Sequence, residues 1–167
     1  MPQLPLHPLV VHFPVALAAL VPLVSTGLLL ASYRRWLPDR AFRIAVALQL
    51  ALVVSGIVAI RTGEADAERV ERVIPEAVVE AHEEAAERFV YAASALALVF
   101  VAAAWLGERP LARRVATLAT LGSYVVLGFG YSAGHAGGRL VYQHGAASAL
   151  VATPDVQPAP RADTERD

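Results

Sequence analysis

Four long apolar segments divide this chain and leave few folds open to it. They cover residues 9–33, 41–60, 89–106 and 115–131. A helix needs about 20 apolar residues to cross the hydrocarbon core of a bilayer, and each segment is close to or above that length. The mean hydropathy is +0.50 and only 17% of the residues are charged, against about 25% in soluble domains. We therefore expect an all-α integral membrane protein, an antiparallel up-down four-helix transmembrane bundle, over residues 1–152.

The remaining stretches are polar. Residues 61–88 hold nine carboxylates and four arginines, yet they have a helical pattern, so we expect helices two and three to continue past the bilayer as a hairpin that turns near Pro75. Residues 153–167 are rich in proline and polar residues, which predicts a disordered tail. Within the second segment, Gln49 is expected to make an interhelical hydrogen bond. No internal sequence repeat is evident.

The orientation follows from the arginines of the two short loops. Seven arginines occupy the loops after the first and third segments: Arg34, Arg35, Arg40, Arg43, Arg109, Arg113 and Arg114. Short cytoplasmic loops are enriched in Lys and Arg. We therefore expect this side to be cytoplasmic and both termini to be non-cytoplasmic.

All five histidines then fall on the non-cytoplasmic face. They are His7, His12, His82, His135 and His144. An ionisable residue close to the end of a transmembrane segment usually faces the bundle interior and has a partner. Histidines gathered at one end of a bundle predict a bound metal ion or haem, since imidazole ligates both.

His12 and His82 are the first choice of axial ligands, because both are expected to project from helices. His135 is the substitute, and the same three residues are the candidate metal ligands. His7 and His144 are further candidates for the cofactor site. Arg61 and Arg139 could hold haem propionates; intraprotein salt bridges with carboxylates such as Glu64 explain both arginines equally well.

Several functions have no support. A net charge of -1 gives no bulk attraction to nucleic acid, and the absence of cysteine removes thiolate metal sites and covalent c-type haem attachment. The sequence HEEAA, which begins at His82, lacks the second histidine of a zinc-protease helix. No hydrolytic site is apparent, so any enzymatic role would be that of a redox component.

Four short patterns also carry a resemblance. They are HPLVVHFPVAL near the start, TG after the second segment, HEEAA before the third and GHAGGRLVYQHGAA after the fourth. In this order they resemble the bacterial membrane family called domain of unknown function 2231, over residues 5–150. The resemblance implies four spans and a bacterial inner membrane. Fusions of some members to Rieske-type or c-type cytochrome modules imply a redox partner of that kind.

Three functions remain open at this point. The leading hypothesis is a b-type cytochrome-like electron-transfer protein that binds haem b through these histidines. The alternative is a membrane module that binds or senses zinc, copper or iron, with Glu64, Glu83 or Glu87 beside the histidines. The third is a subunit or scaffold of a membrane complex, without a cofactor, in which the histidines only make hydrogen bonds.

Overall fold

The described part of the chain consists of helices joined by short turns. A computed structural model describes residues 6–107 and 109–147. Its α-helices are α1 (His7–Val10), α2 (His12–Tyr33), α3 (Arg43–Val70), α4 (Glu76–Leu106) and α5 (Pro110–Tyr142), and a 3-10 turn covers Asp39–Phe42. The predicted all-α fold is confirmed over these residues. The tail predicted at 153–167 lies outside them.

Four helical units are long and apolar enough to cross a membrane: α1 with α2, the 3-10 turn with α3, α4, and α5. The predicted number of spans is therefore confirmed. The first unit breaks at Val11, between α1 and α2. Pro14 accounts for this break, because it has no N–H to donate to the carbonyl of Val10 and its ring crowds that carbonyl.

Contacts between α2 and α5 follow opposite orders along the two helices. Ala18 lies against Gly130, Thr26 Oγ1 is 3.0 Å from Tyr124 Oη, and Tyr33 Oη is 3.3 Å from Thr117 Oγ1. This is the contact order expected of antiparallel neighbours.

The interior of the bundle is built largely from alanine. Small side chains let helix backbones approach closely, which favours association in lipid. Phe42 and Phe100 stack with ring centroids 5.5 Å apart. The predicted interhelical hydrogen bond of Gln49 is confirmed: this fully buried amide donates from Nε2 to the carbonyl oxygen of Ala93, at 2.8 Å.

The polar stretch between α3 and α4 forms a helical hairpin. α3 ends at Val70, and α4 begins at Glu76 directly after Pro75. A small apolar cluster fixes this hairpin to the end of α5. Its buried members are Val70, Ile74, Val79, Leu140 and Ala146. The end of the bundle that carries the histidines is therefore extended and held in place beyond the apolar segments.

Candidate cofactor site

His7 lies against the polar end of α3. Its Nδ1 is 2.9 Å from the carbonyl oxygen of Ala59 and 3.5 Å from the hydroxyl of Thr62. A carbonyl can only accept, so Nδ1 carries the proton and donates it. One face of the ring lies over Gly63, where an added Cβ would come 3.1 Å from His7 Cε1.

His82 makes the same arrangement with α5. Its Nδ1 donates to the carbonyl oxygen of Ala133 at 3.2 Å. The ring lies over Gly137, where an added Cβ would come 2.9 Å from His82 Cε1. Each histidine therefore docks on an alanine carbonyl and on the glycine four residues further along the helix.

The glycine in each pair has a geometric reason. A helical side chain leans toward the N-terminus and covers the turn before its own Cα. At the fourth residue after a carbonyl, any Cβ would therefore occupy the place that the imidazole takes. Gly63 and Gly137 leave the carbonyls of Ala59 and Ala133 open to an outside donor.

The two rings meet at the centre of this end of the bundle. The centroids of His7 and His82 are 6.2 Å apart, and the planes cross at 74°. Both rings donate Nδ1–H to a backbone carbonyl. The Nε2 of each ring therefore keeps a lone pair that can bind a metal. Among the described residues neither Nε2 has a hydrogen-bond partner. A histidine ligand is usually fixed in this way, since a bond from one ring nitrogen orients the other toward the metal.

The environment favours the neutral form of His82. This residue lies on the polar part of α4, seven residues before the apolar segment begins at Phe89. Burial of the ring, and then the nearby charge of His7, hold the pKa of His82 below its ordinary value of 6.5, against an opposing hydrogen bond to Ala133. A neutral imidazole is the form that can ligate.

The repeated contact belongs to a repeat of the whole bundle. Ala133 follows Ala59 by 74 residues, and Gly137 follows Gly63 by the same number, whereas His82 follows His7 by 75. Each half is therefore a helical hairpin, α1–α3 or α4–α5, that presents one histidine to its own second long helix. No sequence repeat is evident, so this repeat shows only in the contacts and burial of the structure.

Burial follows the same register. In the second helices, positions 45, 49, 52 and 59 are buried in one half, and 119, 123, 126 and 133 in the other. In the first helices, the matching buried pairs are 14 with 89, 18 with 93, 22 with 97, and 25 with 100. His7 and His82 thus occupy equivalent positions, and the packing of the two hairpins brings their rings together in a T-shaped arrangement.

Two of the predicted ligands lie elsewhere, and the expected pairing of His12 with His82 needs correction. His12 is exposed, and its Nδ1 is 3.3 Å from the carbonyl oxygen of Leu9 on its own chain segment. Five residues separate it from His7, about 140° around a helix of 3.6 residues per turn. If His7 points inward, His12 therefore points away.

His135, the predicted substitute, is also outside the pair. It is exposed, and its ring stacks on Tyr131 with centroids 6.1 Å apart. On α5 it lies between Ala133 and Gly137, about 200° around the helix from each. The face of α5 that holds His82 therefore excludes it.

The other predicted site residues lie at the same end with separate contacts. His144 follows α5 in a turn, and its Nε2 is buried without a hydrogen-bond partner among the described residues. Arg61 forms a salt bridge with Glu64 at 3.3 Å. This is the contact expected if the arginine has a partner within the protein and does not hold a haem propionate. Arg139 is exposed and donates to Gln143 at 3.1 Å. Glu83 and Glu87 are exposed on α4.

Sequence reasoning missed the alanine and glycine pairs that position the rings. The signal was present as Ala-x-x-x-Gly at 59–63 and 133–137, two of three occurrences in the chain, the third being at 103–107. In helices so rich in alanine and glycine the pattern does not stand out until each histidine is seen to dock on it.

The search for relatives gives one result. No curated protein and no solved structure matches the chain. A family model with the description "Predicted membrane protein (DUF2231)" matches residues 3–149, in agreement with the four apolar helices and with the resemblance of the sequence motifs. The chain therefore belongs to this family of membrane proteins.

Proposed function

We propose that this protein is a membrane-bound electron-transfer protein of the b-type cytochrome kind, with His7 and His82 as the axial ligands of a haem. The observation that carries the proposal is the convergence of these two rings, each with its Nδ1 on a backbone carbonyl and its Nε2 lone pair available. Bound haem would supply reversible one-electron chemistry at its iron.

The number of ligands favours haem over a bare metal ion. Among the described residues there is no group of three or more His, Cys, Asp or Glu side chains arranged to hold an ion. A structural zinc site takes four ligands, and a catalytic one keeps three from the protein. Haem brings its own four nitrogens and needs only one or two axial residues. Two convergent imidazoles therefore suit haem better than zinc, copper or iron alone.

The residues behind the rings favour a fixed redox centre. Each carbonyl holds its imidazole in one tautomer and one orientation, and Gly63 and Gly137 keep the rings close to the helix backbones. Electron transfer depends on a site that changes little between oxidation states, and a pre-oriented ligand pair reduces the reorganisation that each transfer requires. The chain thus supplies orientation and shielding.

The arginines support a location of this site on the non-cytoplasmic side. These arginines follow the end of α2 or lie at and before the starts of α3 and α5, so they lie at the end of the bundle opposite the histidines. With that end cytoplasmic, the site would face the outer compartment of a bacterial inner membrane. A Rieske-type or c-type cytochrome protein there is the proposed redox partner.

Haem content of the purified full chain tests the proposal. The protein is produced in cells supplied with haem precursor, or the purified protein is titrated with haemin, and its Soret band and pyridine haemochrome are measured. We expect about one haem per chain. His7→Ala and His82→Ala should each lower the bound haem at least about ten-fold or convert it to a five-coordinate spectrum.

His12→Ala is the matched control, because it removes an exposed histidine from the same end of the bundle. It should retain the wild-type Soret band. The proposal is wrong if haemin titration gives no Soret complex, or if His12→Ala loses haem as fully as His82→Ala. Stoichiometric zinc, copper or iron without haem would favour the metal module instead.

A further inference from the structure

A groove runs along the outside of the bundle between α2 and α5. Its volume is about 570 Å³, and it lies at the histidine end. Ala18 and Ala19 of α2 and Gly130, Gly134 and Gly138 of α5 form its floor. His7, His82 and Gly137 do not line this groove. Gly137, which carries the His82 ring, lies about 60° around α5 from Gly134 and about 100° from Gly138.

The packing of this chain does not account for two of the glycines. A Cβ added at Gly134 or at Gly138 would meet nothing within 4 Å. Glycine weakens a helix relative to alanine, so these positions lose helix stability without relieving any contact in the chain. Something outside the chain would explain why the groove is kept open.

The internal repeat shows that the architecture itself does not need these glycines. At the register of 74 residues, Gly134 corresponds to Ile60 and Gly138 to Glu64. The other half of the bundle forms the same helix with large side chains at both places. The groove is therefore a specific property of the second half.

One end of the groove carries a cation. Arg139 lines it and is exposed, and the partner that the structure gives it is the neutral amide of Gln143. Within the described part of the chain no carboxylate forms an ion pair with it. In the other half, by contrast, the exposed Arg61 is paired with Glu64. Arg139 is free to meet an anion that enters from outside.

The groove crosses the end of the fourth apolar segment, which covers residues 115–131. Its lining begins within that segment at Leu127, and Arg139 follows Tyr131 by eight residues, about 12 Å along the helix axis. Tyr131 and Tyr142 line the same groove, and tyrosine is enriched at the boundary between lipid and water. The groove therefore begins in the apolar segment and extends past its end to a cation.

From this combination we infer that the groove binds a phospholipid, with an acyl chain beside Leu127 and Gly130, the glycerol along Gly134 and Gly138, and an anionic headgroup on Arg139. The apolar part of the lining contacts the acyl chain, the glycines let the lipid approach the backbone, and the guanidinium binds the phosphate. The inference does not depend on haem.

Lipid retention in native mass spectrometry tests it on the full chain in dodecyl maltoside. The probes are phosphatidylglycerol and phosphatidylcholine, added in equal amounts. We expect wild-type protein to retain phosphatidylglycerol preferentially. Arg139→Gln should lower that preference about five-fold, and Gly134→Leu, which fills the groove, should lower the retention of both lipids.

Matched controls separate the groove from general effects. Arg61→Gln removes another exposed arginine at the same end, and Gly128→Leu adds the same bulk to α5 at an exposed position that does not line the groove. Both should retain lipid as the wild type does. Because Arg139 is exposed, Arg139→Gln remains informative even if Gly134→Leu fails to fold.

Three outcomes would overturn the inference. Arg139→Gln could leave the lipid preference unchanged. Gly134→Leu could convert a dimer to a monomer with lipid retention unaltered, which would make the groove an interface between copies. Gly134→Leu could also abolish a Soret band that His82→Ala leaves intact, which would place a haem in the groove.

Discussion

His7 and His82 face each other across the two halves of the bundle, with ring centroids 6.2 Å apart, and the carbonyl behind each ring belongs to the second helix of the same half. Because Ala59 and Ala133 are themselves equivalent positions, one local contact is used twice. The site is thus formed where two similar hairpins meet, and each hairpin contributes one ring already oriented.

The first prediction concerns the glycine beneath His82. Gly137→Ala places a Cβ 2.9 Å from His82 Cε1, which is closer than packed atoms tolerate, so the ring must leave the Ala133 carbonyl. We expect a lower thermal unfolding temperature in detergent, measured by circular dichroism. The loss should be on the order of 1 kcal/mol in the free energy of unfolding, since it removes one hydrogen bond in a membrane protein and shifts a packed ring.

Gly128→Ala is the matched control on the same helix. Its new Cβ meets nothing within 4 Å, and alanine is the better helix former. This variant should unfold at the same or a higher temperature. An equal destabilisation by both substitutions would show that the docking of His82 on Gly137 is not responsible.

The second prediction is a dependence of stability on pH. The folded protein disfavours protonation of His82, whose pKa is lowered mainly by burial, whereas the unfolded chain takes up that proton near its ordinary pKa. Below about pH 6.5 the unfolded state therefore binds more protons, and the free energy of unfolding falls as the pH falls. Thermal unfolding at pH 7.5 and pH 5.5 should show the loss.

His82→Gln should flatten this dependence, because glutamine keeps a donor but does not titrate. If His82→Gln loses as much stability between the two pH values as the wild type does, the dependence arises elsewhere, for example from the acidic face around Glu83.

The opposite end of the bundle gives a third prediction. Asp39 accepts hydrogen bonds from Ser32 at the end of α2 and from Arg113 Nε of α5, at 3.1 and 3.3 Å to its two oxygens. One carboxylate thus joins the loop after α2 to the first turn of α5. Asp39→Asn should lower the free energy of unfolding by on the order of 1 kcal/mol, because the pair is only partly shielded from water.

Arg114→Gln provides the comparison for Asp39→Asn. Arg114 is the exposed neighbour of Arg113, and no ion pair of Arg114 occurs among the residues described. Its substitution should leave the unfolding temperature within error of the wild type. A loss equal to that of Asp39→Asn would indicate a general effect of charge at this end of the bundle.

The fold could be predicted from the sequence because the lipid environment permits few backbone arrangements. Within lipid every backbone polar group needs an internal partner, so four apolar segments of this length leave little besides four helices. The same reasoning put all five histidines at one end, and the structure places them there. Composition and segment length are enough for both conclusions.

The same reasoning could not identify which histidines converge. His12 was expected to project from its helix toward the site and His7 was only a further candidate, yet the break at Val11 and the rotation between the two residues turn His7 inward. The direction in which a side chain points at the start of this helix depends on one proline and on a rotation of a few tens of degrees about the helix axis. The hydrophobic pattern of an Ala-rich segment does not resolve such a rotation, because its two faces differ little in hydropathy.

The last prediction concerns Gln49, the buried amide between α3 and α4. Its Nε2 donates to the Ala93 carbonyl at 2.8 Å, and its Oε1 is buried without a hydrogen-bond partner among the described residues. Ala93 keeps its own helical hydrogen bond, so Gln49→Leu removes one interhelical bond and one unsatisfied oxygen together. Because interhelical hydrogen bonds in lipid average only about 0.6 kcal/mol, we expect Gln49→Leu to change the free energy of unfolding by less than about 1 kcal/mol. Gln49→Glu, which puts a charge in the same place, should instead destabilise the bundle strongly. Unfolding in detergent measures both, and a large loss in Gln49→Leu would mean that the amide has a further partner in the membrane.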